Sequence, residues 1–292
     1  MALAKLKRQM AKLAATLEAR ARLKQAALRP AGPPQALSSW TGQHLAASFA
    51  IGPSPFHRWL ADRLDGLRAR RAARLNVLAP RGAGKSAWVS FAYPLWCALH
   101  GLEPYIVLIS DTSGQAVKFL DAIKQELEDN DSLRRAYPRL ARKGPVWRNN
   151  EIRLANGVAI EALGTGGKIR GRKNRSRRPS LIIVDDPQNV DHVASTVLRE
   201  RSWSWLTKDV LPAGEPSTNV VVLGTALHRE CIVCKLQQTP GWESHVFRSL
   251  KEMPRRMDLW AEWEAILHNW EDDRREAHAR TFYEANRAAM DE

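Results

Sequence analysis

The sequence has few cysteines and no long apolar run. It contains three cysteines, Cys97, Cys231 and Cys234, among 292 residues. This odd, low number does not suit a disulfide-stabilised scaffold, so we expect a reducing compartment. No apolar segment approaches the length that crosses a bilayer, and the basic N-terminus lacks the apolar core of a secretory signal. We therefore expect no membrane partner.

Acidic residues are in the minority, since 31 Asp and Glu oppose 45 Lys and Arg, which gives a formal net charge of +14. A cationic excess attracts polyanions by electrostatics alone. The charge is concentrated in residues 164–179, GTGGKIRGRKNRSRRP, which have almost no apolar side chains. Because the charge is clustered, we prefer a nucleic-acid partner to a merely well-solvated basic surface.

The middle of the chain alternates short apolar runs with amphipathic segments. Strands are predicted at 75–78, 105–110, 181–186 and 219–225, and helices at 55–74, at 115–130, at 195–206 and after residue 86. The segment 151–164 predicts a hairpin that turns at Asn156-Gly157. Buried strands that alternate with helices indicate an α/β fold with a mostly parallel sheet flanked by helices.

Composition divides the chain into three segments. Residues 1–40 are expected to form a basic helical extension and a proline-rich linker, residues 41–254 the α/β domain, and residues 255–292 a helical tail. The extension carries one apolar stripe at Leu3, Leu6, Met10, Leu13 and Leu17. Such a stripe suits packing on the chain's own domain or docking of a partner equally well.

A phosphate-binding loop is indicated by LNVLAPRGAGKS, residues 75–86, in which a strand leads into small residues, a Lys-Ser pair and a helix. Lys85 would reach the β- and γ-phosphates, and Ser86 would ligate Mg²⁺. Ala79 stands where the usual pattern has its first glycine, a modest departure because alanine is the next smallest residue. The expected nucleotide-binding residues are Pro80, Arg81, Gly82, Ala83, Gly84, Lys85 and Ser86.

An acidic motif, LIIVDD at residues 181–186, places two carboxylates after four apolar strand residues. Together with the loop it predicts that Asp185 holds Mg²⁺ and that Asp186 orients or deprotonates the attacking water. We expect its strand to lie beside the strand that enters the loop. The alternative is that the two aspartates only cap the next helix.

Other polar residues have competing interpretations. Arg81 either contacts the γ-phosphate or stays solvated, and the cations of residues 164–179 suit an arginine finger, a phosphate-backbone contact or a solvated loop. Gly224 and Thr225 end a strand, where they either sense the γ-phosphate or form an ordinary turn. The pattern H-x-x-C-x-x-C at residues 228–234 lacks a second ligand pair, so we prefer buried thiols to a zinc site.

Together, the motifs resemble those of the ATPase domain of the tailed-phage terminase large subunit, the motor that packages DNA into proheads. The resemblance covers most of residues 53–292. Its segments are FHRWLADRL, APRGAGKS, ISDTSGQAVKFLDAIKQELEDN, GTGGKIRGR, RRPSLIIVDDPQN, VVVLGTALH and FYEANRAAMDE. It implies a P-loop NTPase fold of the RecA/ASCE-like type that hydrolyses ATP with Mg²⁺.

The resemblance also implies roles and partners. Arg170 is the first choice for a finger that acts on a neighbouring subunit, and Arg172 the second, while Gly224 and Thr225 would couple hydrolysis to movement. The implied partners are double-stranded DNA, the portal protein, the small terminase subunit and further copies of the chain. On DNA, those copies would form a pentameric ring, whereas the isolated chain would be a monomer. The implied location is the host cytoplasm and, transiently, the prohead.

Two departures from the family are visible. The family often reads adenine with a glutamine upstream of the loop, where the nearest candidates here are His57 and Arg58. The family's nuclease domain would follow Glu292, so we expect no nuclease activity in this chain. The rival interpretations are a RecA-like helicase or translocase, which needs a second lobe, and a non-enzymatic DNA-binding protein with a degenerate loop.

Overall fold

A computed structural model describes residues 33–250 and 252–290, together with Lys7, Met10, Lys12, Leu13, Ala15, Thr16 and Ala19. Met10 and Leu13 are exposed. The rest of the predicted apolar stripe and the first part of the predicted linker lie outside the described residues. The chain divides into a larger unit that ends at Phe247 and a smaller one that starts at Arg248.

An eight-stranded sheet forms the centre of the larger unit. Its strands are β1 Arg74–Leu78, β2 Tyr105–Ser110, β3 Val146–Trp147, β4 Glu151–Arg153, β5 Ala159–Gly164, β6 Leu181–Asp185, β7 Asn219–Gly224 and β8 Glu243–Val246. Their spatial order is β3-β4-β5-β2-β6-β7-β1-β8. The strands from β5 to β8 in this order are parallel, and β3 and β4 are antiparallel. The predicted mostly parallel sheet is confirmed.

Helices flank this sheet, as predicted for an α/β fold. The larger unit has α1 Leu37–His44, α2 Pro55–Gly66, α3 Tyr93–His100, α4 Ser113–Asp129, α5 Asp131–Ala136, α6 Val190–Ala194, α7 Thr196–Trp205, α8 Leu211–Ala213 and α9 Ile232–Gln237. Ala87–Ala92 and Leu206–Val210 are π-helical turns that continue into α3 and α8. The smaller unit has α10 Met257–Leu267 and α11 Arg275–Met290. None of the helices described is both long and apolar enough to span a membrane.

Apolar side chains cover both faces of the sheet. Along β6, Ile183 belongs to one core, which also contains Leu75 and Leu223, whereas Ile182 and Val184 belong to the core on the opposite face. This division follows from the alternation of side chains along a strand. A parallel strand buried on both faces leaves only its ends for polar groups. The carboxyl ends of the strands are therefore where a functional site can form.

The order of the strands corrects one prediction. The acidic strand β6 does not lie beside β1, because β7 lies between them and pairs with both. Asp185 is level with Leu223 of β7, and Gly224 is level with Leu78 of β1. Helices α6, α7 and α8 connect β6 to β7, and these two strands, which are consecutive in the chain, pair with each other. Strand β1 pairs with the other side of β7. The carboxyl ends of the three strands still meet at one edge.

The predicted helix at 55–74 is shorter than expected. The Ser54 hydroxyl caps α2 by accepting the backbone N–H of His57, and the helix ends at Gly66. A single 3-10 turn follows, Ala72 is left-handed with φ +60°, and Arg74 already belongs to β1. The cations of residues 69–74 therefore do not close a helix.

A buried asparagine explains this early end. Asn219 is fully buried at the start of β7, and its Oδ1 accepts the N–H of Ala73 at 3.0 Å across 146 residues. Its Nδ2 donates to the carbonyls of Leu67 at 3.2 Å and Arg70 at 3.0 Å. These bonds satisfy backbone groups that a longer helix would pair internally.

The hairpin predicted at Asn156-Gly157 is confirmed. Strands β4 and β5 pair antiparallel on either side of it. Gly157 has φ +85°, and the Asn156 Oδ1 accepts the N–H of Val158 at 3.1 Å. Glycine takes this backbone conformation without the steric cost that a side chain brings.

We expect Gly164→Ala to destabilise the larger unit by about 1–3 kcal/mol, the usual cost of overpacking. A Cβ at this last residue of β5 would lie 2.5 Å from the backbone nitrogen of Ser113, where α4 begins. Urea unfolding measures the change. Gly114→Ala is the matched control, because its Cβ would approach nothing closer than Thr112 Oγ1 at 4.0 Å. Equal stability of the two variants would contradict the close approach of β5 and α4.

Candidate functional site

The loop after β1 passes from strand to helix through two glycines in the left-handed conformation. The N–H of Ala79 donates to the Gly224 carbonyl at 3.1 Å and thus continues the pairing of β1 with β7. Gly82 and Gly84 have φ +75° and +68°, whereas Ala79 is not among the residues with positive φ. Helical backbone begins at Lys85. Glycine is therefore present where the conformation favours it, and alanine at residue 79 carries no such penalty.

His57 supports this loop from outside. Its Nδ1 accepts the N–H of Ser54 at 3.2 Å, so its Nε2 carries the proton and donates to the Ala83 carbonyl at 2.7 Å. A Cβ at Gly84 would lie 2.8 Å from this Nε2. Arg58 instead donates to the Pro53 carbonyl at 2.7 Å. Neither candidate for adenine recognition is among the residues that line the pocket.

Lys85 brings the three predicted motifs together. This lysine is only 5% exposed, and its Nζ lies 3.2 Å from Asp186 Oδ2 and 3.1 Å from Thr225 Oγ1. Asp186 Oδ1 also accepts the N–H of Thr225 at 2.9 Å. The loop and the ends of β6 and β7 therefore meet in one hydrogen-bonded cluster.

Asp186 takes an unusual backbone conformation, with φ +42°. Its N–H donates to the Leu223 carbonyl at 2.9 Å, which holds the end of β6 against β7. The next helix, α6, is capped by the Asn189 side chain and not by either aspartate. The alternative that the two aspartates only cap this helix is therefore wrong.

Asp185 lies in a different environment, since it is only 2% exposed. Its Oδ2 accepts the Ser90 hydroxyl at 2.7 Å, and its Oδ1 has no partner among the described residues. Burial raises the pKa of Asp185 to about 6, against the opposing effect of the Ser90 hydrogen bond. A buried carboxylate oxygen without a partner, with the Ser86 hydroxyl near it, fits the oxygen ligands that Mg²⁺ prefers.

A pocket of about 720 Å³ opens at this edge of the sheet. Predicted site residues that line it are Arg81, Gly82, Gly84, Lys85, Ser86, Asp186 and Thr225. Residues that line it without having been predicted are Ala87, Asp111, Gln115, Gln188, Asn189 and Leu227. Its volume is within the range of small-molecule and cofactor sites.

For some site residues that were not predicted, the sequence does contain a pattern that could have identified them. Asp111 directly follows β2, which neighbours β6, so it lies at the same sheet edge as Asp185. Asn189 Nδ2 donates to Asp111 Oδ2 at 3.2 Å, and His192 Nδ1 lies 3.0 Å from Oδ1. Ser90 is one helical turn beyond Ser86 and thus on the same side of the helix.

The two candidate finger arginines do not line the pocket. Arg170 pairs with Asp209 and donates to the Lys208 carbonyl, and Arg172 pairs with Glu161. The basic segment around them is anchored by Ile169, which is 1% exposed. Both arginines therefore lie outside the pocket that contains Lys85.

The cysteine-containing pattern forms no metal cluster among the residues described. His228 Nδ1 accepts the N–H of Glu230 at 3.0 Å, and Cys231 is buried at the start of α9. Burial raises the pKa of Cys234 to about 12. These are the properties of unreactive thiols.

Comparison of the sequence with models of known protein families and with curated proteins gives no match. What the chain does must therefore be inferred from the geometry of this pocket and from the order of its motifs.

We expect Asp185→Asn to stabilise the metal-free protein at neutral pH. The folded pKa of Asp185, about 6, exceeds the ordinary value of 3.8, so ionisation opposes folding. Stability is therefore lost as pH rises from about 4 to 6, by about 1–3 kcal/mol in total. Asparagine keeps an acceptor for Ser90 and carries no charge.

Thermal unfolding in a chelator at pH 4 and pH 7.5 measures this effect. The Tm gain should be larger at pH 7.5 than at pH 4. Asp121→Asn, at an exposed carboxylate that pairs with Lys124, is the control and should change little. A gain for Asp185→Asn that is equal at both pH values would contradict the penalty from its buried charge.

Proposed function

We propose that the chain is a P-loop ATPase and that it acts as the DNA-packaging motor of a tailed-phage terminase large subunit. The observation that carries the ATPase proposal is the convergence of Lys85, Asp186 and Thr225 on one pocket from three separate segments. The order of the motifs, and their resemblance to the terminase family, carry the more specific proposal.

The loop supports binding of a triphosphate. Small residues between Ala79 and Lys85 allow backbone N–H groups to approach phosphate oxygens, and the helix that begins at Lys85 turns its positive end toward them. Lys85 is paired with Asp186 at 3.2 Å, so a bound γ-phosphate would compete with this carboxylate for the ammonium group. Arg81, which lines the same pocket, adds a second cation.

Ser86 and Asp185 would hold Mg²⁺, which neutralises charge on the phosphates when bound. Asp186 is suited to the water instead, because its side chain is 42% exposed and faces the pocket. Its two oxygens are held by Lys85 and by the N–H of Thr225, so the orientation of the carboxylate is fixed. A fixed acceptor is what a general base requires.

Thr225 supports the proposed coupling role of the Gly224-Thr225 pair. Its hydroxyl accepts from Lys85 and donates to the Ala79 carbonyl at 3.4 Å, and its N–H donates to Asp186. A Cβ at Gly224 would lie 2.8 Å from Val233 Cγ1 and 3.3 Å from Asp186 Oδ1. A change in phosphate occupancy would thus reach β7 and α9 through direct contacts.

The basic segment and its arginines support a DNA-bound assembly. The net charge is +14, and residues 164–179 hold a dense cluster of cations. Because Arg170 lies outside the chain's own pocket, it suits a finger that enters the pocket of a neighbouring subunit, with Arg172 second. The proposed assembly is a pentameric ring on double-stranded DNA, with the portal protein and the small terminase subunit, in the host cytoplasm.

We expect Lys85→Ala to reduce DNA-stimulated ATP hydrolysis at least ~100-fold, the loss typical of one group that stabilises transition-state charge. Asp186 is part-exposed, so the unpaired carboxylate is tolerated by the fold. Release of inorganic phosphate measures turnover. Lys143→Ala, at an exposed pair with Glu128 outside the pocket, is the matched control. Unchanged turnover of Lys85→Ala would assign the hydrolysis to a contaminant or another site and would favour a DNA-binding protein with an inactive loop.

We expect Arg170→Ala to retain ATP affinity and to lose turnover by ~10³-fold, since a finger contributes only in the transition state. Loss of its surface pair with Asp209 costs little stability. Nucleotide titration and phosphate release separate the two effects, with Arg134→Ala on α5 as control. Loss of ATP affinity would instead assign Arg170 to the pocket of its own subunit.

A further inference from the structure

Gln188 is a buried polar residue of the acidic segment RRPSLIIVDDPQN, and the sequence predicts no role for it. It lies three residues after Asp185, is 7% exposed and lines the pocket. Its Oε1 accepts the N–H of Ile232, the first residue of α9, at 2.7 Å. Its Nε2 is buried and has no hydrogen-bond partner among the described residues. A buried donor without a partner costs about 1–3 kcal/mol, so its retention needs a reason.

The orientation of this amide is fixed by its one partner. The N–H of Ile232 can only donate, so the group that faces it must be the oxygen of Gln188. The NH₂ group is therefore the end of the amide that has no partner among the described residues. This assignment makes the unpartnered atom a donor, which suits a ligand atom with a free lone pair.

A small cavity beside the main pocket is lined in part by Gln188. Its volume is about 10 Å³, and Asp186, Gln188, Gly224 and Thr225 are among its lining residues. Asp186, Gln188 and Thr225 also line the main pocket. A cavity of this volume, with polar groups on its wall, has room for about one water molecule.

We propose that Gln188 and Asp186 together hold the water that attacks the terminal phosphate, an inference that rests on the proposed ATPase function. A water molecule has two hydrogens and two lone pairs. The Asp186 carboxylate accepts one hydrogen, and the Gln188 Nε2–H donates to one lone pair. The second lone pair is left for the phosphorus.

The step balances with these groups. The water oxygen forms a bond to the γ-phosphorus, and the bond from this phosphorus to the bridging oxygen breaks, leaving its electron pair on ADP. The water proton passes to Asp186. Gln188 exchanges no proton, and its contribution is to fix the direction of the attacking lone pair.

The position of Gln188 also relates the water to α9. One amide holds the first N–H of this helix through its oxygen and the water through its nitrogen. Gln188→Glu is therefore an informative variant, because a carboxylate of the same size still accepts from Ile232 but does not donate when ionised. Gln188→Met, of similar size, removes both functions.

The test measures kcat by phosphate release at saturating ATP, the ATP dissociation constant by titration, and Tm. Both variants should lose at least ~10-fold in kcat, the lower range for a group that assists proton transfer or water attack. ATP affinity of Gln188→Met should stay within about threefold, since the water, and not the nucleotide, is the bound partner. Gln238→Glu, exposed at the end of α9 and outside the pocket, controls for the added charge.

Wild-type kcat in Gln188→Glu would overturn the proposal. So would lowered Tm and ATP affinity with unchanged kcat at saturation, which would make Gln188 a purely structural residue. If Gln188→Met fails to fold, Gln188→Glu alone decides the question. A wild-type protein that neither binds nor hydrolyses ATP would refute the proposed function itself, a result distinct from altered kcat in the variants alone.

Discussion

The pairing of the buried Lys85 ammonium is the interaction on which the site depends. A charge that is 95% removed from solvent is costly unless it is neutralised and hydrogen-bonded. Asp186 supplies the opposite charge and Thr225 a hydroxyl, and these two residues are bonded to each other. The ends of β1, β6 and β7 are thereby held at one point, and any group that displaces the carboxylate from the lysine acts on all three strands.

Asp185 and Asp186 are adjacent in the chain but lie in different surroundings, because the backbone changes direction between them. Asp185, the last residue of β6, points into the protein and meets Ser90, whereas Asp186, with φ +42°, turns toward the pocket. Burial raises the pKa of Asp185 to about 6, so its ionised form is poorly accommodated without a cation. Under the proposed function, these different environments would suit Asp185 as a metal ligand and Asp186 as a partner for water.

Much of this arrangement was predictable from local patterns, and the remainder depended on distant contacts. The parallel sheet, the Asn156-Gly157 turn and the meeting of the loop with Asp186 follow from apolar periodicity and strand-end chemistry. The early end of α2 did not, because Asn219, far along the chain, captures its backbone groups. The insertion of β7 between β1 and β6 was missed for a related reason: apolar strands of similar length do not encode their lateral order.

The same distinction applies to Ala79 and Gln188. The pattern of the loop marks Ala79 as a departure, yet its N–H continues the pairing of β1 with β7 and its backbone needs no glycine, which Gly82 and Gly84 supply instead. Gln188 lies in the acidic segment RRPSLIIVDDPQN, which predicted no role for it, yet its buried amide has one end fixed and the other without a partner among the described residues. What matters at each position is whether the backbone and the polar atoms are satisfied. By that measure Ala79 is an ordinary residue, whereas Gln188 has a buried donor that lacks a partner among the described residues.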